Sequence, residues 1–434
     1  VARGAEAARA WGQRPVADRA ALLTAFAAHL RADAERYAVL VTAEMGKPLA
    51  EARGEVAKSA LTADWYAASS AALLAPREVE IDSPTGVSAF VTPEPLGVVL
   101  AVMPWNFPVW QVMRAAIPTV AAGNALLLKH APNVTGSALL LQQAFVDAGF
   151  PEGLVTTLVV AEPDVPATVE GLVGDPRVAA VTLTGSNRAG EMVGAAAGGA
   201  TKPSVLELGG SDAFVVLDDA DVPAAAAAAV RSRFTNGGQS CVCAKRFVVH
   251  EAVAEAFTRL FVEGTRALVV GDPTEPETQV GPLARGDLRD ALQRQVDQSV
   301  LAGATLATGG RPLDGPGYFY EPTVLLGAGP GMPVFDEETF GPVAAVAVVR
   351  DDEAAAELAD ATAYGLGLSV WSGSVDRALA LAARVTSGAV FVNSVVASDP
   401  RLPFGGTRRS GYGRELAEAG LLAFTNQRTW WVAG

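Results

Sequence analysis

Apolar positions along this chain recur first at the spacing of helices and then at the spacing of strands. Residues 20–60 carry an apolar face that includes Leu22 and Phe26, opposite arginines and glutamates, which predicts helix. Over 79–91 the apolar residues alternate instead, on either side of Ser83-Pro84-Thr85-Gly86. This alternation predicts a β-hairpin that lies outside the main sheet.

After the hairpin, apolar runs alternate with amphipathic stretches in two series, one before and one after Gly209-Gly210. Strands that are apolar on both faces and alternate with helices are typical of a parallel sheet covered on both sides. The predicted strands are 98–103, 126–129, 155–160 and 178–184, then 213–217, 246–250, 342–349, 368–372 and 389–393. The predicted helices are 135–148, 164–172, 222–234, 252–268, 283–301 and 352–361. The Gly- and Pro-rich segment 306–320 is predicted to be a surface excursion.

Composition narrows the class of protein. Half of the 434 residues are hydrophobic and 18% are charged, which predicts a large globular protein with more than one core. The net charge of −14 argues against a nucleic-acid partner, and no apolar run reaches the roughly 20 residues of a membrane helix. Two cysteines cannot form a disulfide framework, which predicts a reducing cytoplasm. The three histidines have no metal-ligand spacing, so no metal is predicted.

The strongest chemical signal is Cys241, which follows Gly237-Gly238-Gln239-Ser240. A thiol attacks as the thiolate and needs a polar, partly open setting, and the glycines let the backbone approach a bound substrate. The alternative is a small buried apolar residue, which holds for most isolated cysteines. Two further groups with the matching chemistry make a nucleophile the better hypothesis.

These two groups are Asn106 and Glu207. Asn106 lies between Pro104 and Pro108 directly after a predicted strand, so its amide could be a fixed donor for an oxyanion. Glu207 stands between leucines at the end of an apolar run, where burial raises the pKa of a carboxyl group toward that of a general base. The alternatives are a turn-capping Asn and a paired structural Glu.

The chain contains no G-x-G-x-x-G motif. A dinucleotide-binding site is indicated instead by a glycine turn between a predicted strand and a helix. The strand 178–184 runs through Gly185 and Ser186 into a helix, an arrangement that can hold a pyrophosphate at the helix N-terminus. Lys129 ends another strand and could reach ribose hydroxyls, although a snorkelling surface lysine is an equal alternative.

Cys243, two residues after Cys241, is the second cysteine of the chain. Residues two apart on an extended segment point the same way, and their Cα atoms are near the upper limit for a disulfide. A reversible, strained disulfide with Cys241 is one hypothesis, and a simply packed Cys243 is the other.

At this point a set of motifs resembles the aldehyde dehydrogenase family, in the family's order and over nearly the whole chain. The motifs are Pro104-Trp105-Asn106-Phe107-Pro108, Glu207-Leu208-Gly209-Gly210, Gly238-Gln239-Ser240-Cys241, Glu337-Glu338-Thr339-Phe340-Gly341-Pro342 and Pro403-Phe404-Gly405-Gly406. Within the family, the segments 103–114, 129–134 and 209–212 resemble bacterial succinate-semialdehyde dehydrogenases.

The resemblance implies NAD(P)-dependent oxidation of an aldehyde to an acid. Cys241 would attack the aldehyde, the Asn106 amide and the Cys241 backbone N–H would hold the oxyanion, and Glu207 would activate water. The residues that the resemblance assigns to the cofactor are Trp105, Lys129, Gly185, Ser186, Glu338 and Phe340.

Cofactor choice depends on Pro132, which stands where many NAD-specific members carry a Glu that binds the adenosine 2′-hydroxyl. Without that carboxylate nothing visible repels a 2′-phosphate. NAD and NADP both stay open, and we favour NAD.

The substrate hypothesis rests on Arg114, two helical turns after the start of the helix that follows Pro108. An arginine among aromatic residues is costly unless it meets an anion, and its planar fork suits a carboxylate. The resemblance likewise implies a carboxylate contact at Arg114. The second arginine of succinate-semialdehyde dehydrogenases is Thr235 here, and Arg401 could supply the missing charge. We therefore expect a short ω-carboxy aldehyde, such as succinate semialdehyde.

The predicted fold is α/β and aldehyde dehydrogenase-like, in three parts. Residues 1–78 and 94–208 would form a doubly wound NAD(P)-binding domain, 209–408 the catalytic domain, and 79–93 with 417–434 a β arm for oligomerisation. Exposed strands need a partner edge, which predicts a homodimer or homotetramer. The rival hypotheses are a dehydrogenase that acylates coenzyme A, one for other small aldehydes, and a non-catalytic protein of the same fold.

Overall fold

The computed structural model describes residues 1–82 and 87–433. The helices of the described residues are α1 Ala2–Gly12, α2 Val16–Ala32, α3 Ala34–Met45, α4 Leu49–Leu73, α5 Trp110–Ala121, α6 Thr135–Asp147, α7 Val165–Gly174, α8 Asn187–Gly199, α9 Val222–Phe234, α10 Glu251–Arg266, α11 Gly286–Leu301, α12 Pro333–Asp336, α13 Asp352–Asp360, α14 Val375–Ala382 and α15 Ala417–Leu422. Their strands are β1 Arg77–Val79, β2 Val87–Pro95, β3 Val98–Met103, β4 Ala125–His130, β5 Val155–Thr157, β6 Val178–Thr184, β7 Ser204–Glu207, β8 Asp212–Val216, β9 Ala244–His250, β10 Thr305–Thr308, β11 Thr323–Leu326, β12 Val343–Val349, β13 Gly367–Trp371, β14 Ala389–Val392, β15 Gly411–Tyr412 and β16 Thr425–Ala433.

The first large sheet has the strand order β15-β7-β6-β3-β4-β5. All its pairings are parallel except that of β15 with β7. Consecutive residues 98–101 of the central strand β3 are buried, so helices cover both faces of the sheet. The parallel, doubly covered sheet predicted from the apolar runs is therefore confirmed.

The second large sheet has the order β10-β11-β12-β9-β8-β13-β14, and only β10 is antiparallel to its neighbour. One apolar cluster on this sheet includes Phe247 and Phe257, and a separate cluster includes Val215 and Leu381. The chain is thus of the predicted α/β class. The segment 306–320, predicted as a surface excursion, begins with the last three residues of the edge strand β10, and residues 306–319 are exposed or half-buried.

A third, small sheet has the order β1-β2-β16. Strand β1 pairs with β2 antiparallel, with Val79 opposite Ala89, and β16 runs antiparallel along β2 from Pro95 to Val87. The predicted hairpin is present, while its predicted turn at 83–86 lies outside the described residues. The predicted C-terminal strand is β16, and the helix α15 precedes it within the predicted arm segment 417–434.

The predicted helical stretch 20–60 consists of three helices, α2, α3 and α4. Asp33 interrupts the first pair with a non-helical φ of −106°, and Gly46 ends α3 in the left-handed conformation at φ 82°. Pro48 then precedes α4. Within residues 1–82 and 87–433, no helix is both long enough and apolar enough to cross a membrane.

The candidate site lies where the two large sheets meet through their loops. Asn106 follows the carboxyl end of β3, and Glu207 ends β7 of the same parallel sheet. Carboxyl ends of parallel strands share one edge of a sheet, so these side chains come together. Cys241 lies in the connection from α9 to β9 of the second sheet.

Candidate active site

The loop that carries Cys241 is a tight left-handed turn. Asn236, Gly237 and Gly238 have φ of 56°, 60° and 74°, a conformation that favours glycine and tolerates asparagine. A Cβ on Gly238 would also clash with the Gly341 carbonyl. The glycine run therefore allows the cysteine loop to approach the segment that carries Glu338 and Phe340.

Two buried cations hold this loop, and the sequence did not single out either of them. Arg233 donates to the carbonyls of Gly238, Thr339 and Gly341. The Lys245 ammonium donates to the Cys241 carbonyl at 2.9 Å and to Glu338 Oε1 at 3.3 Å. Each cation links the cysteine loop to the 338–341 segment, so the nucleophile and the predicted cofactor residues form one rigid unit.

Asn106 lies directly against the cysteine loop. Its Nδ2 donates to the Gln239 carbonyl at 3.0 Å, and the Asn236 amide donates back to the Asn106 carbonyl at 2.8 Å. An amide NH₂ has two donors, so one N–H of Asn106 stays available. Within the described part of the chain, the backbone N–H of Cys241 has no hydrogen-bond acceptor. Two free donors thus lie on or against the loop that carries the thiol, which is compatible with the oxyanion hypothesis.

Two glutamates of α4 accept hydrogen bonds from the loops that carry Asn106 and Cys241. Glu55 accepts hydrogen bonds from the backbone N–H groups of Val109 and Trp110, at the start of α5, and forms a buried ion pair with Lys47. Glu51 accepts from the backbone N–H of Asn236 at 2.8 Å, and burial raises the pKa of Glu51 to about 7. One helix therefore positions both the Asn106 loop and the Cys241 loop.

Glu207 is 2% exposed, and neither of its carboxylate oxygens has a hydrogen-bond partner among the described residues. Burial first, and then the charge of Glu415, raise the pKa of Glu207 well above its ordinary value. This is the shift that the flanking leucines predict. A buried carboxyl group with unused acceptors beside a thiol can take a proton from water.

The pKa of the Cys241 thiol is higher than the sequence led us to expect. Burial raises its pKa to about 12, while the charges of Arg114 and Lys245 oppose the shift. The thiol is therefore protonated in the protein alone, whereas the sequence argument expects a thiolate-favouring setting. Burial dominates because the described residues place no carboxylate or imidazole in hydrogen-bond contact with the sulfur.

Cys241 lines a cavity of about 440 Å³ that also contains Cys243. Its lining includes three aromatic residues and three cations, namely Phe107, Trp110, Phe404, Arg114, Lys58 and Arg231. Glu51 and Glu55 also line it, and both carboxylates already accept the backbone hydrogen bonds described above. Cys243 Sγ lies 3.6 Å from the Thr235 carbonyl oxygen, and both cysteines are free. A cavity with apolar walls and a few cations suits a small organic anion.

Arg114 reaches this cavity as predicted, but its guanidinium already has an anion. It forms a buried ion pair with Glu415, donates to Thr184 Oγ1 at 3.2 Å, and lies 4.5 Å above the Phe404 ring. The sequence argument expected the anion to be a substrate carboxylate and missed Glu415. No local pattern links Arg114 with Glu415, because the two are remote in the chain.

Arg401 does not line the cavity. Its guanidinium binds both carboxylate oxygens of Asp399, at 2.8 and 2.7 Å, on an exposed loop. Lys58, which the sequence did not single out, does line the cavity. Its ammonium lies 4.4 Å from the centre of the Trp110 ring.

The residues predicted to bind the cofactor lie at the ligand edge of the first sheet. Ser186 caps α8, its hydroxyl accepting from the Ala189 N–H at 3.3 Å, and Gly185 precedes it. Lys129 is the penultimate residue of β4, and its ammonium makes no hydrogen bond within residues 1–82 and 87–433. Burial lowers the pKa of Lys129.

The other predicted cofactor residues surround the cysteine loop. The rings of Trp105 and Phe340 meet edge to face with centroids 5.7 Å apart. Glu338 accepts from the Gly210 N–H at 3.0 Å, and a Cβ on Gly210 would come within 2.6 Å of the Cys241 carbonyl. An unpartnered lysine, a capped helix N-terminus and an aromatic pair fit the ribose, pyrophosphate and nicotinamide of a dinucleotide. Among the described residues, no group of three His, Cys, Asp or Glu could hold a metal ion.

Comparisons with known proteins agree with this geometry. The chain is 49% identical to the succinate-semialdehyde dehydrogenase [NADP(+)] 1 of Mycobacterium ulcerans, over 96% of this chain and 90% of that protein. It is 48% identical to the succinate semialdehyde dehydrogenase [NAD(P)+] Sad of Escherichia coli, over 98% of this chain and 90% of that protein. The crystal structure of succinic semialdehyde dehydrogenase from Streptococcus pyogenes in complex with NADP+ superimposes with a TM-score of 0.95 at 37% identity, covering 100% of this chain and 94% of that one. The family model described as "Aldehyde dehydrogenase family" matches residues 1–430. The chain therefore belongs to the aldehyde dehydrogenase family.

Proposed function

We propose that this enzyme oxidises succinate semialdehyde to succinate with a nicotinamide cofactor. The observation that carries the proposal is that Cys241 lines a cavity with three cations while Asn106 is hydrogen-bonded to the cysteine loop and the charge of the buried Glu207 acts on the Cys241 thiol. The names of the relatives at 46–49% identity support the same substrate.

The first half-reaction forms a bond between Cys241 Sγ and the aldehyde carbon. The proton of the thiol passes to the Glu207 carboxylate and from there to solvent, and the oxygen that becomes negative is held by the free Asn106 N–H and the Cys241 backbone N–H. A nicotinamide held by Trp105, Phe340 and Glu338 would supply the acceptor for the hydride of that carbon. The carbon is thereby oxidised from aldehyde to thioester, still bound to Cys241.

The second half-reaction hydrolyses the thioester. Glu207 takes a proton from water, the resulting hydroxide adds to the carbonyl, and the carbon–sulfur bond breaks. The acid leaves and Cys241 regains its proton. Glu207 is ionised only above its raised pKa, so this step accelerates as the pH rises through that value.

For the cofactor we propose NADP, although the sequence argument favoured NAD. The relatives are named for NADP or for both cofactors, and Pro132 supplies no carboxylate to repel a 2′-phosphate. Lys129 is available to bind that phosphate. Glu338 would hold the nicotinamide ribose, Ser186 with Gly185 the pyrophosphate, and Trp105 with Phe340 would enclose the nicotinamide.

We further propose the predicted division of labour: cofactor binding by 1–78 and 94–208, catalysis by 209–408, and self-association through 79–93 and 417–434. Strand β16 is the outer strand of its sheet, and Trp431 on it is 59% exposed. An exposed apolar edge suits a second copy of the chain, in a dimer or tetramer. Free cysteines suit the reducing cytoplasm predicted from composition.

The proposed function is tested by mixing the purified enzyme with succinate semialdehyde and NADP or NAD, and measuring the reduced cofactor and succinate. We expect equal amounts of the two products, and a kcat/KM for succinate semialdehyde above that for butanal. Added coenzyme A should not change the product, because Glu207 is present for hydrolysis. Succinyl-coenzyme A as the product, or a preference for butanal, would contradict the proposal.

A further inference from the structure

Of the cations in the active-site cavity, Arg114 is neutralised by its buried ion pair with Glu415. Lys58 has no such partner: among the described residues its ammonium forms no ion pair and donates only to Ser398 Oγ, at 2.7 Å. An ammonium has three N–H donors, so two of them remain free toward the cavity. Lys58 is therefore the less compensated of the two charges.

The position of the Lys58 side chain is fixed at its backbone and at its ammonium group. Its backbone lies on α4, and its ammonium lies 4.4 Å from the centre of the Trp110 ring. The charge of Arg114 lowers the pKa of both the Cys241 thiol and the Lys58 ammonium, so Arg114 lies close to both groups. A ligand that extends from Cys241 past Arg114 would meet Lys58.

We propose that Lys58 binds the distal carboxylate of the aldehyde substrate and sets the preference for charged over uncharged aldehydes. This inference rests on the proposed function. It assigns to Lys58 the second positive charge, which Thr235 does not supply and which we expected from Arg401 on the sequence alone. The Ser398 hydroxyl, which accepts from Lys58, keeps its own hydrogen to donate to the same carboxylate.

The charge of Lys58 also predicts that substrate selectivity depends on pH. Burial, followed by repulsion from Arg114, lowers the pKa of Lys58 to about 8, while Asp399 and Glu55 oppose the shift. Lys58 is therefore cationic below about pH 8 and loses its charge as the pH rises through that value. Selectivity for a carboxylated aldehyde should decline over the same range.

The test measures the ratio of kcat/KM for succinate semialdehyde to kcat/KM for butanal. Taking this ratio cancels ionisations that both substrates share, including those of Cys241 and Glu207. In Lys58→Gln the ratio should fall by about 10- to 100-fold, the loss expected for one charged hydrogen bond. Lys58→Arg should retain the ratio, and it should hold the ratio above pH 8, where the wild type loses it.

Arg231→Gln is the matched control, because Arg231 is a more exposed cation lining the same cavity. If the exposed charge of Arg231 attracts the substrate only weakly through solvent, the ratio of kcat/KM values in Arg231→Gln should change by no more than about threefold. An unchanged ratio in Lys58→Gln, or equal losses of kcat/KM for both substrates, would overturn the role of Lys58. The proposed function would still stand if the wild-type enzyme prefers succinate semialdehyde to butanal. A wild type without preference would overturn both.

Discussion

Replacing Arg114 with methionine removes the positive member of a buried ion pair while keeping much of the side-chain volume. Its partner Glu415 is then left in the protein interior without a counter-charge. Breaking a buried pair in this way costs about 3–5 kcal/mol. Holding a glutamate with an ordinary pKa of about 4.3 in its protonated form at pH 7 costs about 3.7 kcal/mol. Burial already raises the pKa of Glu415 beside Arg114, so this figure is the upper bound of the loss in the variant.

The expected change in thermal midpoint follows from the size of the chain. Unfolding entropy of about 2.1 cal/mol/K per residue gives about 0.9 kcal/mol/K for 434 residues, so the midpoint should fall by about 3–5 °C. Burial raises the pKa of Glu415 even beside Arg114, and removing Arg114 raises it further, so the penalty shrinks as the pH falls and Glu415 protonates. From pH 7 to pH 5.5 the difference from wild type should shrink by about 2 kcal/mol.

Differential scanning calorimetry at the two pH values measures this, and Arg114→Met/Glu415→Gln is the control. The double variant leaves no buried charge at the pair and should recover most of the lost stability, giving a large coupling in the double-mutant cycle. Activity on butanal and on succinate semialdehyde should fall together in Arg114→Met. If Arg114→Met kept the thermal midpoint of the wild type and lost activity only on succinate semialdehyde, the structural role would be refuted. Arg114 would then be mainly a substrate contact.

Four other outcomes test the remaining site residues. Glu207→Gln should release about one equivalent of reduced cofactor in a burst and then run at least about 100-fold slower than wild type, whereas unchanged steady turnover would make Glu207 structural. Cys241→Ala should lose dehydrogenase activity, and iodoacetamide should modify wild-type Cys241 about tenfold faster per pH unit up to near pH 10; a plateau near pH 8 would contradict the raised pKa. Peroxide inactivation should be reversed by dithiothreitol in wild type but not in Cys243→Ala, where oxidised Cys241 cannot be trapped as a disulfide; identical behaviour would mean that Cys243 is simply packed. Lys129→Met should raise the KM for NADP by about 10- to 100-fold and that for NAD by less, and equal increases would argue against a 2′-phosphate contact.

The sequence predicts the two large sheets well because their strands are locally distinctive. The predicted bounds 98–103 and 178–184 are those of β3 and β6, since runs apolar on both faces are flanked by glycine or proline turns. The two-residue strand β15 carries no such signal, because its structure comes from pairing with β7. The edge strand β10 is four residues long, half polar and followed by two glycines, so its sequence resembles a loop.

Candidate site residues were predictable where a motif fixes the local backbone, as at Asn106 and Cys241. Their charge environment was not predictable, because it depends on segments far apart in the chain. Glu415, between β15 and α15, meets Arg114 of α5 through the packing of segments that lie far apart in the chain. The high pKa of Cys241 has the same origin, since it comes from burial between the sheets and outweighs the polar loop around the thiol.

The helix α4 illustrates how much of the site lies outside the motifs. Glu51, Glu55 and Lys58 follow one another at intervals of about one helical turn, so they lie on one face. Glu51 holds the cysteine loop, Glu55 holds the start of α5 below Asn106, and Lys58 faces the cavity. Because the three share one rigid face, the spacing between nucleophile, oxyanion donor and proposed carboxylate contact is set by a segment in which the sequence shows only a helical pattern. The length of the preferred aldehyde is then a property of this helix as much as of the catalytic loops.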